Sequence, residues 1–457
     1  MTYASPIVIT HSWNFQSKCL QIQFCVELNP QIKTSRKLLL TCSYITYSTT
    51  DMLYFNPNSS SKRLVTSKLE QRKMPFFMGL KRKILFSSAS AARRKKEKDC
   101  YLKNGSCVLE ELLALCDGNC RIPIRYFTAT EIHNAIKHSK TKMDLAMVSM
   151  VTGSLDNRLV LVRFNTCTTF NIHRDVAITA QMSHLKNVLR LVGCCLEFEQ
   201  PVMVYEHVEA ISLFDLLFKK DNLNRKSLLC WGNRLRVARE VASAIVFLHT
   251  EFTTPIIHRN IKPHNVIIDQ NSGTAKILNF ALSISLPPGE LELLDHNGVR
   301  GTVGYIAPEY KHQLIITQKT DVYSFGILLF QLFTGKKVYD IMKRVDSKER
   351  IDFELDAKSN TEEDNPMDRV DSTIDSKTLP INFVDRYINE SNVMDITDPA
   401  ILEEHGIEIQ QQLKDCLNLI KKCTADKGDD RPYIIHVARE LGRIDKCFCA
   451  LSTLGQN

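Results

Sequence analysis

The run IIHRNIKPHNVIID, residues 256–269, gathers His258, Arg259, Asn260, Lys262 and Asn265 between apolar pairs, and Asn279 follows ten residues later in AKILNFALS. Residue type limits the chemistry open to this set. The amide of Asn260 can accept a hydrogen bond but is a very poor proton acceptor near neutral pH. Asn279 offers an amide oxygen without the negative charge that a hard cation such as magnesium prefers. Lys262 and Asn265 keep a cation and a polar group in reach of a ligand. Zinc chemistry is not indicated: none of the fifteen cysteines forms a C-x-x-C pair or a Cys/His cluster at ligand spacing. Scattered as they are in apolar contexts, they suit reduced thiols in a cytosolic protein.

These residues need a scaffold, and 457 residues suffice for one two-lobed domain with extensions. Residues 1–73 show no sustained period and are expected not to fold; they are either a genuine extension or an over-extended gene model, with Met74 or Met78 as an alternative start. Residues 1–99 end in a solvated basic segment suited to peripheral contact with anionic lipid. The formal charge of +8 is unevenly spread, basic over 62–103 and acidic over 346–375, and no nucleic-acid partner is expected from it. Residues 100–143 read as a helical flank, with Thr128 and Glu131 spaced as a capping box. Short strand-like runs occupy 145–164, and further strands end at PVMVYEHVEA; helical patterns dominate thereafter. Strands first and helices later give an α+β architecture, a sheet-rich lobe over 144–207 and a helical lobe over 208–445. An acidic, Ser- and Asn-rich stretch, 346–378, interrupts the second lobe and reads as a disordered insertion; 446–457 reads as a tail. No window is apolar enough to span a membrane, and no secretory signal is evident.

Five strings in fixed order carry a resemblance. IIHRNIKPHNVIID resembles the catalytic loop of eukaryotic protein kinases, AKILNFALS their magnesium loop, GTVGYIAPEY the end of their activation segment, TDVYSFGILLFQLFTGKK their central helix, and DDRP a late helix start. Trp231, the PIIHR entry and GTVGYIAPEY are similar to plant receptor-like kinases. YLKNGSCVLEELLALC, QMSHLKNVLRLVGCCLE and SISLPPGE resemble the wall-associated-kinase-related cytoplasmic pseudokinases that serve as adaptors of a coiled-coil NLR immune receptor.

The resemblance assigns roles. Asn260 stands for the catalytic base and Asn279 for the magnesium aspartate, with Asn265 as second metal ligand, and Lys262 is retained. Ala281 replaces a loop glycine. Arg163 stands where the phosphate-pairing lysine belongs and Asp175 where its glutamate partner belongs. Tyr205, Glu206 and His207 would line an adenine pocket, although Tyr205 equally fits a buried strand aromatic. The phosphate-cradling loop should precede the third strand, yet MVSMVTGSLDNRLVLV offers only Gly153. His258, Arg259, Asp321, Glu309 and Arg431 match groups that hold the fold. Ser283, Ser285 and Thr302 lie where kinases are phosphorylated, with Arg259 as a receiver for a phosphate.

Three readings follow. The first is a catalytically inactive pseudokinase adaptor in plant immunity, needing no cofactor and binding an NLR-type receptor, active receptor-like kinases or pathogen effectors. The second is a weakly active, ATP- and magnesium-dependent Ser/Thr kinase. The third is a non-functional gene copy. The expected location is the cytoplasm, with peripheral contact at the plasma membrane.

Overall fold

The computed structural model describes residues 8–14, 19–25, 91–116, 124–139, 142–145, 148–165, 171–219, 229–345, 383–405 and 409–454. They fall into two units, 1–83 and 84–457. In the first, strands β1 (Val8–Asn14) and β2 (Cys19–Cys25) pair antiparallel, Val8 opposite Cys25 and Asn14 opposite Cys19. Residues 1–73 were expected to have no fold; the hairpin departs from that because Leu20, Ile22 and Phe24 alternate at strand period.

The second unit opens with a six-stranded sheet. Its strands are β3 (Arg125–Tyr126), β4 (Lys142–Leu145), β5 (Val148–Leu155), β6 (Arg158–Asn165), β7 (Leu191–Cys195) and β8 (Val202–Glu206). They lie in the order β3-β7-β8-β6-β5-β4, antiparallel except for the β3–β7 pair. Successive side chains on a strand point to opposite faces, and here each face has its own core. Val160, Val162, Val202 and Val204 pack with Phe127, Ile132 and Ala135, whereas Leu161, Met203 and Tyr205 join the larger core.

Helices α2 (Ala129–Ile136) and α3 (Ile172–Met182) pack on the sheet, and α1 (Ala91–Cys116) packs on α3. Thr128 and Glu131 form the capping box that their spacing implied. Two boundaries differ from expectation. Helix α1 begins inside the basic segment read as unstructured, because Arg, Lys and Glu are good helix formers and Arg93 pairs with Glu97 one turn on at 2.8 Å. The flank 100–143 is also not wholly helical, since it supplies both β3 and β4, so the sheet lobe starts upstream of residue 144.

Helices dominate the second lobe: α4 (Leu213–Phe218), α5 (Trp231–Thr250), α6 (Pro308–Gln313), α7 (Gln318–Thr334), α8 (338–345), α9 (Phe383–Asn389), α10 (Val393–Ile396), α11 (Pro399–His405), α12 (Gln410–Cys423) and α13 (Ile434–Leu454). Helix α7 is buried at every position from Thr320 to Thr334, as its nearly all-round apolar sequence requires. Trp231 starts α5 and anchors it, donating from Nε1 to Gln412 at 3.1 Å. Short strands β9 (Ala210–Ser212), β11 (Val266–Asp269) and β12 (Ala275–Ile277) form one small sheet. β10 (Ile256–Ile257) pairs with β13 (Ile284–Ser285), and β14 (Glu292–Leu294) with β15 (Ile315–Thr317). The two-lobed α+β division is as expected. Residues 446–454, expected as tail, continue α13, and the acidic insertion 346–378 lies outside the described residues.

Candidate functional site

Strand alternation turns Arg163 of β6 toward the α3 side of the sheet, where its side chain is fully buried. Its Nη2 lies 2.8 Å from Asp175 Oδ2, so the pair anticipated from the sequence forms despite the shorter acid. The same guanidinium donates to Tyr205 Oη at 3.2 Å, Asn279 Oδ1 at 3.0 Å and Asn165 Oδ1 at 3.2 Å. Burial is the largest single influence and works against its charge, but the Asp175 carboxylate and the Tyr205 hydroxyl together more than reverse it and hold the guanidinium above its ordinary pKa. Asp175, also fully buried, accepts at Oδ1 from Thr179 at 3.1 Å and from the Phe280 amide at 2.9 Å. Tyr205 is sealed in the core, its hydroxyl kept neutral as burial raises its pKa.

The lower wall continues the network. Asn279 sits at φ 72°, a left-handed conformation that asparagine tolerates better than most residues. It donates from Nδ2 to Asn265 Oδ1 at 3.2 Å. Asn265 in turn donates to the Asn260 carbonyl at 2.7 Å. Asn260 Oδ1 accepts from Thr302 Oγ1 at 3.0 Å, and Lys262 Nζ donates to that same hydroxyl at 2.8 Å. Burial lowers the Lys262 pKa. The result is one hydrogen-bonded chain from Tyr205 through Arg163, Asn279, Asn265, Asn260 and Thr302 to Lys262.

These residues do not fit a magnesium nucleotide. Both side-chain oxygens that would ligate the metal, Asn279 Oδ1 and Asn265 Oδ1, already accept from protein donors. The nearby carboxylate, Asp175, is spent on Arg163. Among the described residues, no three His, Cys, Asp or Glu side chains are placed to hold a metal. Gly153 is no cradle either: it lies inside β5 opposite Val160, where a Cβ would come 3.2 Å from the Ala135 carbonyl of α2. The link from β5 to β6 is two residues by register, Asp156–Asn157. Asp156 and Asn157 have φ 49° and 60°, the conformation of a tight hairpin turn. This turn contains no glycine and is too short to wrap a phosphate chain.

Asp321, Arg431 and Arg259, read as structural, are each tied to several partners. Asp321 accepts from the His258 amide at 2.7 Å, the Arg259 amide at 2.9 Å and His249 Nε2 at 3.0 Å. Arg431 meets Glu309 with both Nη atoms at 2.8 Å, a bidentate pair. The Arg259 guanidinium, expected to await a phosphate, is instead 2.7 Å from Asp295. The three hydroxyls read as modification sites differ in setting. Ser283 is buried, Ser285 accepts from Arg174 at 2.5 Å, and Thr302 is held within the chain just described.

His207 lies just past β8, half-buried, and no hydrogen bond of the network described here reaches it; Glu206 is paired with Lys276 at 3.1 Å. Sequence reasoning did not find Asn165, Arg174, Asp295 or Tyr310. Only Asn165 carried a usable signal, its position two residues past Arg163 on the same strand face.

Comparison with known proteins bears on this geometry. Residues 160–440 match the model of the protein kinase domain. In Arabidopsis thaliana, serine/threonine-protein kinase ZRK4 is 34% identical over 76% of this chain and 92% of its own length. The non-functional pseudokinase ZED1 is 36% identical over 53% of this chain and 72% of its own, and the putative wall-associated receptor kinase-like 16 is 33% identical over 76% and 74%.

Proposed function

Because the chain belongs to the protein kinase domain family, we propose that it works as a pseudokinase, signalling by binding other proteins and not by transferring phosphate. The observation that carries this reading is the closed network. Asn260, Lys262, Asn265 and Asn279 are each bonded to another protein group, and Arg163 is buried. Loss of a base typically costs about 10²–10⁴-fold; loss of metal anchor and phosphate cradle besides removes the positioning on which phosphoryl transfer rests. Relatives bearing the names ZED1, ZRK2 and ZRK6 are described as non-functional pseudokinases, which supports the same conclusion. The finer role is that of an adaptor in plant immune signalling, with an NLR-type receptor, active receptor-like kinases or pathogen effectors as partners. The basic residues of α1 and those preceding it suit peripheral contact with anionic lipid at the plasma membrane. Among the described residues no helix is long and apolar enough to cross a membrane.

A second reading, a weakly active Ser/Thr kinase, draws on the retained Lys262 and Asn265 and on relatives named as serine/threonine-protein kinases. Thermal melting of the full chain with millimolar ATP, with and without magnesium or manganese, separates the two. The pseudokinase reading expects no metal-dependent shift; a saturable one would replace it with the second.

A further inference from the structure

Arg259 lies beside Asn260, its backbone pinned at φ 61° with its amide on Asp321. Its guanidinium points into the segment 282–314. Nε donates to the Leu282 carbonyl at 2.6 Å, and Nη1 meets Asp295 Oδ2 at 2.7 Å and Tyr310 Oη at 3.3 Å.

Asp295 is itself tied at every polar atom of its side chain. Oδ1 accepts from the Asn297 amide at 3.1 Å, and Oδ2 takes the Tyr310 hydroxyl at 3.1 Å in addition to Arg259. Its backbone amide donates to the Leu314 carbonyl at 2.9 Å. Tyr310 Oη also accepts from the Arg300 amide at 2.8 Å. The beginning of the segment at Leu282, its middle at 295–300 and its end at 310–314 thus converge on one buried carboxylate and one buried guanidinium. The side chains of Arg259 and Asp295 are 7% and 3% exposed, too little for water to take over either partner's role.

We propose that Asp295 is a built-in latch: its carboxylate holds Arg259 and Tyr310, and so the segment 282–314, in one ordered arrangement without any phosphate. A carboxylate and a phosphate offer the same fork of anionic oxygens to a guanidinium. A phosphate arriving at Thr302 or Ser285 would therefore find Arg259 already paired. The arrangement is independent of whether nucleotide binds. Burial pushes the Asp295 carboxyl up, but the Asn297 amide, the Tyr310 hydroxyl and Arg259 more than reverse this, so it remains an anion.

The test is amide hydrogen exchange on the full chain, read in peptides covering 283–306 and, as an internal reference, in α7. Wild-type protein treated with a broad-specificity phosphatase is expected to keep the same protection over 283–306 as untreated protein. A rise on phosphatase treatment overturns the proposal, because a phosphate would then be holding the segment. Asp295→Asn, which keeps the shape and removes the charge, is expected to speed exchange over 283–306 at least tenfold with α7 unchanged; wild-type rates in this variant overturn it. Should exchange accelerate everywhere in Asp295→Asn, Tyr310→Phe decides. That variant keeps the ring and removes one hydrogen bond to the same carboxylate, so acceleration confined to 283–306 supports the latch and wild-type exchange there overturns it.

Discussion

Asn279 stands between Arg163 and Asn265, accepting from the first at 3.0 Å through Oδ1 and donating to the second at 3.2 Å through Nδ2. An aspartate could do only half of this, since it accepts and does not donate. The amide is thus what lets two would-be metal ligands bond to each other rather than to a metal.

From this it follows that restoring the missing acids does not restore the enzyme. In Asn260→Asp, Asn279→Asp protein, the new carboxylate at 279 would share the buried Arg163 guanidinium with Asp175, and Asn265 would lose the donor it takes from position 279. Incorporation of labelled phosphate into the protein or a generic substrate should remain at background with magnesium or manganese. Turnover in that double variant would mean that the closed network is not what silences the site.

The Arg163–Asp175 pair should matter for stability. Both side chains are within 1% of complete burial. Removing one member of such a pair leaves an uncompensated charge in the core, at a cost of about 3–5 kcal/mol. Asp175→Ala should therefore lose stability in this range by urea denaturation, and a loss below about 1 kcal/mol would show that the pair is not buried as described.

Stability should also depend on pH through His264. Its ring stacks on Phe214 at a centroid distance of 3.8 Å, and burial, aided by Lys262 and opposed by Asp215, pushes its pKa down to about 4. A histidine held neutral in the folded chain protonates first in the unfolded one. Its contribution is complete above the ordinary value of 6.5, declines as pH falls toward about 4, and is flat below. His264→Gln should flatten part of the wild-type slope between those limits; an unchanged slope would count against the burial of this ring.

Cys194 and Cys195 give a chemical readout of the sheet. Burial raises both thiols to about 12. Iodoacetamide at pH 8 should leave them unmodified in native protein and alkylate both after unfolding, as mapped by peptide mass spectrometry. Prompt native labelling would mean that β7 opens readily.

Much of this was legible in the sequence, and the reason is contiguity. The loop of Asn260, Lys262 and Asn265 and the helix of Asp321 are short runs in which residue type and spacing are set together, and Thr128 with Glu131 is a purely local cap. Asp295 was not legible. It lies in a segment without periodicity, and only the folded path brings it to Arg259. Tyr205 was read as an adenine-facing residue or a buried aromatic. The second holds, because cross-strand register, with Arg163 opposite Met203, places its hydroxyl against the guanidinium. Helix α1 was started late because its first turns are charged, which hides an amphipathic pattern while leaving helix propensity intact.

The two-residue turn between β5 and β6 bears on how this chain can change over generations. An amide can revert to an acid through a single altered base, but a missing loop cannot be recovered by exchanging one side chain for another. Asp156–Asn157 would have to be lengthened by whole inserted codons while the strands they join kept their pairing. Point mutation alone therefore leaves the length of this turn as it is, whatever it does to the side chains around it.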